Sequence, residues 1–155
     1  MIKAISTIVA IKKFIDYVDT FNNMAAPAGN LGIPRWQMPQ IEGKNYDDFL
    51  NWLKGQGISN TKKTVSVGSL NMTQSEFNKN KVMKLMGGVD SAKPILVSSD
   101  GYVLDGTHRF LAEYNKGRNR QIAVYQINKP IRDLLKIVKN YSKAVFRKVN
   151  GETLP

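Results

Sequence analysis

The chain has no cysteine among its 155 residues, which excludes disulfides, thiolate nucleophiles and cysteine-based metal sites. It has one histidine, His108. A zinc site built on paired histidines is therefore impossible, and no His-Glu-x-x-His occurs. There is no Walker-type glycine loop ending in Lys-Ser/Thr. No apolar run is long enough to span a bilayer, and no cluster of carboxylates suits two-metal chemistry. Ser98, Ser99 and Asp100 leave a Ser-His-Asp arrangement open, but nothing resembles a nucleophile elbow. Acidic residues are scarce as well: 12 Asp/Glu against 23 Lys/Arg give a net charge of +11. From Glu113 onward, ten basic residues face three acidic ones. Such an excess favours polyanion partners, namely nucleic acid, an anionic membrane surface or phosphorylated ligands; a solvated basic face kept for solubility is the plain alternative.

What is present divides into four stretches. In residues 1–24, Ile5, Ile8, Val9, Lys12, Ile15 and Val18 recur at helical spacing, which predicts an amphipathic N-terminal helix over 2–22 that packs on the domain or on a partner. Met1–Ala10 superficially resembles a signal peptide, but Lys12-Lys13 cuts the apolar run short and no small-residue cleavage site follows. Residues 25–57 read as an irregular arm and a short helix. Pro27, Gly29, Gly32, Pro34 and Pro39 break regular structure, and Trp36 and Met38 are predicted to anchor the arm. Asn45 then caps a helix through Phe49, Leu50, Trp52 and Leu53, with Asp47 and Asp48 in its first turn.

Residues 58–128 carry the predicted core. Thr64–Leu70 alternates as a strand. Thr73 or Asn78 caps a helix bearing Val82, Leu85 and Met86. Pro94–Val97 and Tyr102–Leu104 form a hairpin around Ser99-Asp100-Gly101, a helix follows Gly106, and Ile122–Ile127 returns as a strand. Residues 129–155 are a basic C-terminal helix and tail starting at Pro130, where Lys129, Arg132, Lys136, Lys139 and Lys143 are candidate nucleic-acid contacts. The order β-α-β-β-α-β-α predicts an α+β fold, a compact domain with a small mixed sheet, a hairpin and flanking helices, plus the N-terminal helical arm.

The most informative stretch is Asp105-Gly106-Thr107-His108-Arg109. A tight glycine turn from strand to helix aims backbone N–H groups and the positive end of the helix dipole at one spot. His108 and Arg109 stand beside those donors, which makes a place suited to phosphate. The bland readings are a capping or hydrogen-bonding His108 and an Arg109 paired with Asp105.

Taken in order, Val65-x-Val67…Leu70, Lys81-Val82, Lys93–Val97, Gly101–Arg109 and Ile122–Tyr125 resemble the ParB/sulfiredoxin superfamily. The closer likeness is to its phage and bacterial branch with a D-G-x-H-R signature, related to free-serine kinases and DndB-like proteins. Pro34-Arg35-x-x-Met38-Pro39-Gln40-Ile41 and Leu70-x-x-Thr73-Gln74-x-Glu76 are similar to phage-encoded members. The resemblance spans residues 33–128 and implies that Gly106, Thr107, His108 and Arg109 hold the phosphates of ATP or ADP, with Lys81 contacting the nucleotide. It implies CTP for the ParB relatives, but His108 replaces the first arginine of their turn. It further implies Glu76 as an acidic base, with Asp105 orienting His108 or Arg109 or holding Mg2+ through water. Sulfiredoxins need cysteine where Thr107 stands, so sulfinic-acid reduction is excluded.

Three function classes stay open at this stage. One is a nucleotide-dependent phosphotransferase or NTPase in which Glu76, Asp105 and His108 are catalytic. Another is a sequence-nonspecific DNA-binding protein. The third is a non-catalytic virion or assembly component that contacts itself or phage structural proteins through its terminal helices. The resemblance places such a protein in the cytoplasm of a bacterial host or on a virion.

Overall fold

Three successive β-branched or leucine side chains, Ile95-Leu96-Val97, are all essentially buried, so the strand that carries them is covered on both faces. The computed structural model describes residues 16–19, 24–27, 30–87 and 93–147. Its strands are β1 (Asp16–Asp19), β2 (Met24–Pro27), β3 (Asn60–Ser66), β4 (Asn71–Met72), β5 (Ile95–Ser98), β6 (Tyr102–Asp105) and β7 (Gln121–Ile127). Its α-helices are α1 (Tyr46–Lys54), α2 (Lys79–Met86), α3 (Thr107–Lys116) and α4 (Ile131–Val138). A five-stranded mixed sheet runs β3-β7-β5-β6-β4. β5 pairs parallel with β7 and antiparallel with β6, as expected of a hairpin turning at Ser99–Gly101.

Side-chain alternation sorts the core into two layers. Ile95, Val97, Val103, Ile122 and Val124 pack under Val82 of α2 and Phe110, Leu111 and Tyr114 of α3. Leu96, Leu104 and Ile127 face the other way, against Phe49, Leu50 and Leu53 of α1 and Ile131, Leu134 and Val138 of α4. The sheet therefore lies between two helical layers, and the mixed α and β content agrees with the predicted class.

Three local expectations are corrected. Asp16–Asp19 was predicted to continue the N-terminal helix, yet it pairs antiparallel with Met24–Pro27. Tyr17 and Val18 favour strands, and pairing overrides the helical periodicity. Residues 2–15 and 20–22 of that predicted helix lie outside the described residues, as does the tail from 148 to 155. The strand expected over Thr64–Leu70 ends at Ser66, and a 3-10 turn covers Val67–Ser69. There Gly68 donates its N–H to Arg118 O at 2.9 Å, and a Cβ at Gly68 would sit 3.0 Å from that oxygen. Trp36, predicted to anchor the arm, is 51% exposed; Met38 is fully buried.

The arm is fastened by backbone bridges at two places. Ile33 bridges Gln74, and Gln40 bridges Val145 with N–H to O distances of 2.7 and 3.0 Å. The second bridge ties the segment before α1 to the segment after α4, and it brings both to the C-terminal end of β6.

Candidate functional site

The chain leaves β6 at Asp105 and enters α3 at Thr107 through Gly106, whose φ of 99° lies in the left-handed region. A Cβ there would stand 2.5 Å from Ile95 Cγ2, so glycine is required both by conformation and by contact. Gly106, at the cap of α3, has no side chain with which to cap it, and none of the described side chains accepts from the first turn. Its first N–H groups have no acceptor within the helix, and they open on a cleft of about 270 Å³.

Four cationic side chains, Arg35, Lys81, Arg109 and Arg147, line this cleft against two carboxylates, Glu42 and Asp105. Gln40, Ile41, Tyr46, Gly106, Thr107 and His108 complete most of the wall. The sequence-predicted residues Lys81, Asp105, Gly106, Thr107, His108 and Arg109 are thus brought together, whereas Glu76 is not among the lining residues. Glu76 Oε1 instead accepts the Arg35 N–H at 3.0 Å, which fixes the backbone that carries Arg35.

Asp105 is enclosed. Its Oδ1 accepts the Ile41 N–H at 3.1 Å and its Oδ2 accepts the Tyr46 hydroxyl. Burial raises its pKa, partly offset by those hydrogen bonds and by Arg109 and Arg35. Tyr46 is likewise raised by burial and by the adjacent carboxylate, so it stays a neutral donor. Arg109 donates through Nη2 to Tyr46 Oη at 3.2 Å and through Nη1 to Lys93 O at 3.1 Å. The direct Asp105–Arg109 pair considered from sequence is thus replaced by a relay through Tyr46. A carboxylate with both oxygens engaged and cations around it does not fit Mg2+, which wants several open oxygen ligands. Among the described residues no group of three or more His, Cys, Asp or Glu gathers to hold a metal.

His108 is 6% exposed, and its Nε2 accepts the N–H of Asn78 at 3.0 Å. Burial, with Arg35 and Lys81 nearby, pushes its pKa down to about 3. The ring is therefore neutral at ordinary pH, with its proton on Nδ1. It holds the start of α2, where Asn78 Oδ1 also caps Lys81 N–H at 3.1 Å. That contact positions Lys81 relative to the turn. Lys81 itself has a lowered pKa, first from partial burial and then from Arg35 and Arg147, with Asp105 opposing. The cleft is crowded with positive charge.

Sequence reasoning missed Arg35, Tyr46 and Arg147. Arg35 stood in a quoted motif, but a lone arginine in a proline-rich arm gives no sign of reaching a turn 70 residues away. Arg147 pairs with Glu42 at 3.3 Å. The predicted nucleic-acid residues lie elsewhere. Arg132, Lys136 and Lys139 are exposed on or beside α4, and Lys143 pairs with Asp48 at 3.2 Å. A larger cavity of about 490 Å³, lined mainly by apolar side chains including Trp36, Met38, Leu135 and Phe146, shares no residue with the cleft. Comparison of the chain with protein-family models, with curated proteins and with solved structures returned no match.

Proposed function

We propose that the protein binds a phosphate-bearing ligand, a nucleotide such as ATP or ADP, with the phosphate seated on the N-terminus of α3. The carrying observation is the uncapped helix start behind Gly106, opening between Arg109 and Lys81. Backbone donors and the helix dipole favour an anion there. Arg109, held by Tyr46 and Lys93 O, adds a fixed charge-assisted donor. This reading agrees with the ParB/sulfiredoxin-like resemblance, in which the same turn holds nucleotide phosphate, and with a phage-encoded member of that group.

Phosphoryl transfer or NTP hydrolysis is the enzymatic extension. Asp105 has both oxygens engaged and His108 is neutral with Nε2 occupied, so neither serves as a ready base at neutral pH. Glu76, the base the resemblance implies, stands outside the cleft wall and binds the Arg35 N–H through Oε1, so a transfer step would require its free Oε2 to reach the ligand from there. Calorimetry with ATP, ADP, CTP and GTP tests the binding reading. Heat is expected with at least one nucleotide, and Arg109→Ala should abolish it. No heat with any of the four overturns it.

DNA binding is the second reading, favoured by Arg132, Lys136 and Lys139, which share one exposed face at helical spacing. Its signature is an affinity that falls steeply with salt. Absence of a mobility shift at low salt removes it.

A further inference from the structure

Among the described residues, Arg35 is a charged side chain that is both buried and without a hydrogen-bond partner at Nε. It is 5% exposed and lies in the wall of the cleft. Its Nε is buried without a hydrogen-bond partner, and no side-chain hydrogen bond or ion pair to its guanidinium is formed among the described residues. A buried cation is costly unless paired and hydrogen-bonded. The obvious internal partner is Asp105, but its two oxygens take Ile41 N–H and Tyr46 Oη instead. Burial lowers the Arg35 pKa, the charge of Asp105 opposes that shift without a hydrogen bond, and Arg147, a second cation from late in the chain, adds to it. Nor is Arg35 there by accident of a floppy arm. Its backbone N–H is bound by Glu76 Oε1 at 3.0 Å, and Met38 N–H returns to Arg35 O at 3.0 Å. The chain holds in place a guanidinium whose buried Nε has no hydrogen-bond partner.

We propose that Arg35 forms an inner anion subsite, separate from the turn at Gly106, and that the cleft takes two linked phosphate groups rather than one. The inference rests on the phosphate reading above and deepens it. One phosphate sits on the α3 N-terminus with Arg109 and Lys81. The second is held by Arg35 together with Arg147. The cleft volume of about 270 Å³ falls below the roughly 300–1,000 Å³ of pockets that enclose a drug-sized ligand. The cleft therefore has room for the diphosphate alone, and the rest of the ligand lies outside it.

The test uses the full chain with inorganic orthophosphate and inorganic pyrophosphate at matched ionic strength, followed by calorimetry and by melting. Wild type should bind pyrophosphate at least about tenfold more tightly than orthophosphate, the scale of one charge-assisted hydrogen-bonding contact. In Arg35→Met that preference should vanish while orthophosphate binding persists. Arg109→Gln should weaken both anions. Melting supplies a readout that a structural role would not share. Without ligand, Arg35→Met should melt at or above the wild-type temperature, because it removes an unpaired buried charge. Pyrophosphate should raise the wild-type midpoint more than that of the variant. Orthophosphate binding with no pyrophosphate preference in wild type overturns this inference and leaves the turn reading standing. Absence of binding by either anion overturns both. An Arg35→Met chain that melts lower or fails to fold also counts against the inference, since Arg35 would then support the fold without a ligand.

Discussion

Lowering the pH from about 7.5 to about 5 should destabilise the wild-type protein by about 2 kcal/mol more than a His108→Gln variant, on a scale of 1.36 kcal/mol per pKa unit. The folded-state pKa of His108 is depressed from 6.5 to about 3. The neutral ring thus contributes its full stabilisation above pH 6.5. That contribution is lost as the pH falls toward 3, because the unfolded chain takes up a proton that the folded chain refuses. Between the ordinary value of 6.5 and pH 5 lie about one and a half units, which sets the difference at about 2 kcal/mol. Glutamine is chosen because its amide oxygen can still accept the Asn78 N–H. Urea unfolding at a series of pH values, extrapolated linearly, gives the two stability curves. Parallel curves would refute the reasoning. So would an imidazole resonance titrating near its ordinary value, since His108 would then be a cation available to a phosphate rather than a buried acceptor.

Gly106→Ala should cost about 2–5 kcal/mol, combining the left-handed backbone with overpacking against Ile95; denaturant unfolding reads the loss, and a change under 0.5 kcal/mol would contradict it. Tyr46→Phe leaves Asp105 Oδ2 without its donor and Arg109 Nη2 without its acceptor. A stability loss of about 1–3 kcal/mol is expected, with weaker nucleotide binding by calorimetry. Glu76→Gln keeps an acceptor for Arg35 N–H, so nucleotide binding should be unchanged. A turnover assay then shows whether the carboxylate also serves as a base, because only that role would be lost.

The turn was legible because its signals are local. Gly106 sits between a β-branched hairpin and a helical apolar pattern, and that order alone places N–H donors at one spot. The Ser99–Gly101 hairpin turn was readable for the same reason, and of the two caps the sequence offered, Thr73 and Asn78, the structure uses Asn78. The strand at Asp16–Asp19 was not, since pairing with Met24–Pro27 outweighs a helical period that continues through Val18. The cations that complete the cleft were hidden by distance along the chain. Arg35 and Arg147 line one cleft beside the Gln40–Val145 bridge, though they lie near opposite ends of the described chain. His108 shows a subtler limit: its position was evident, but its neutral state depends on burial and on neighbours that no spacing reveals.

The Gln40–Val145 bridge has a consequence for the order in which the site comes into being during synthesis. Residues 58–128, the expected core, contain the turn, Lys81 and the whole central sheet. Arg35 and Tyr46 are made earlier, and Arg147 is made after α4 has been completed. A ribosome that has just released Ile127 has therefore produced every residue that lines the cleft except Arg147. Only after translation passes Val145 can the two chain segments close, so a fragment ending between Ile127 and Val145 would retain the motif and lack both the Gln40–Val145 bridge and Arg147.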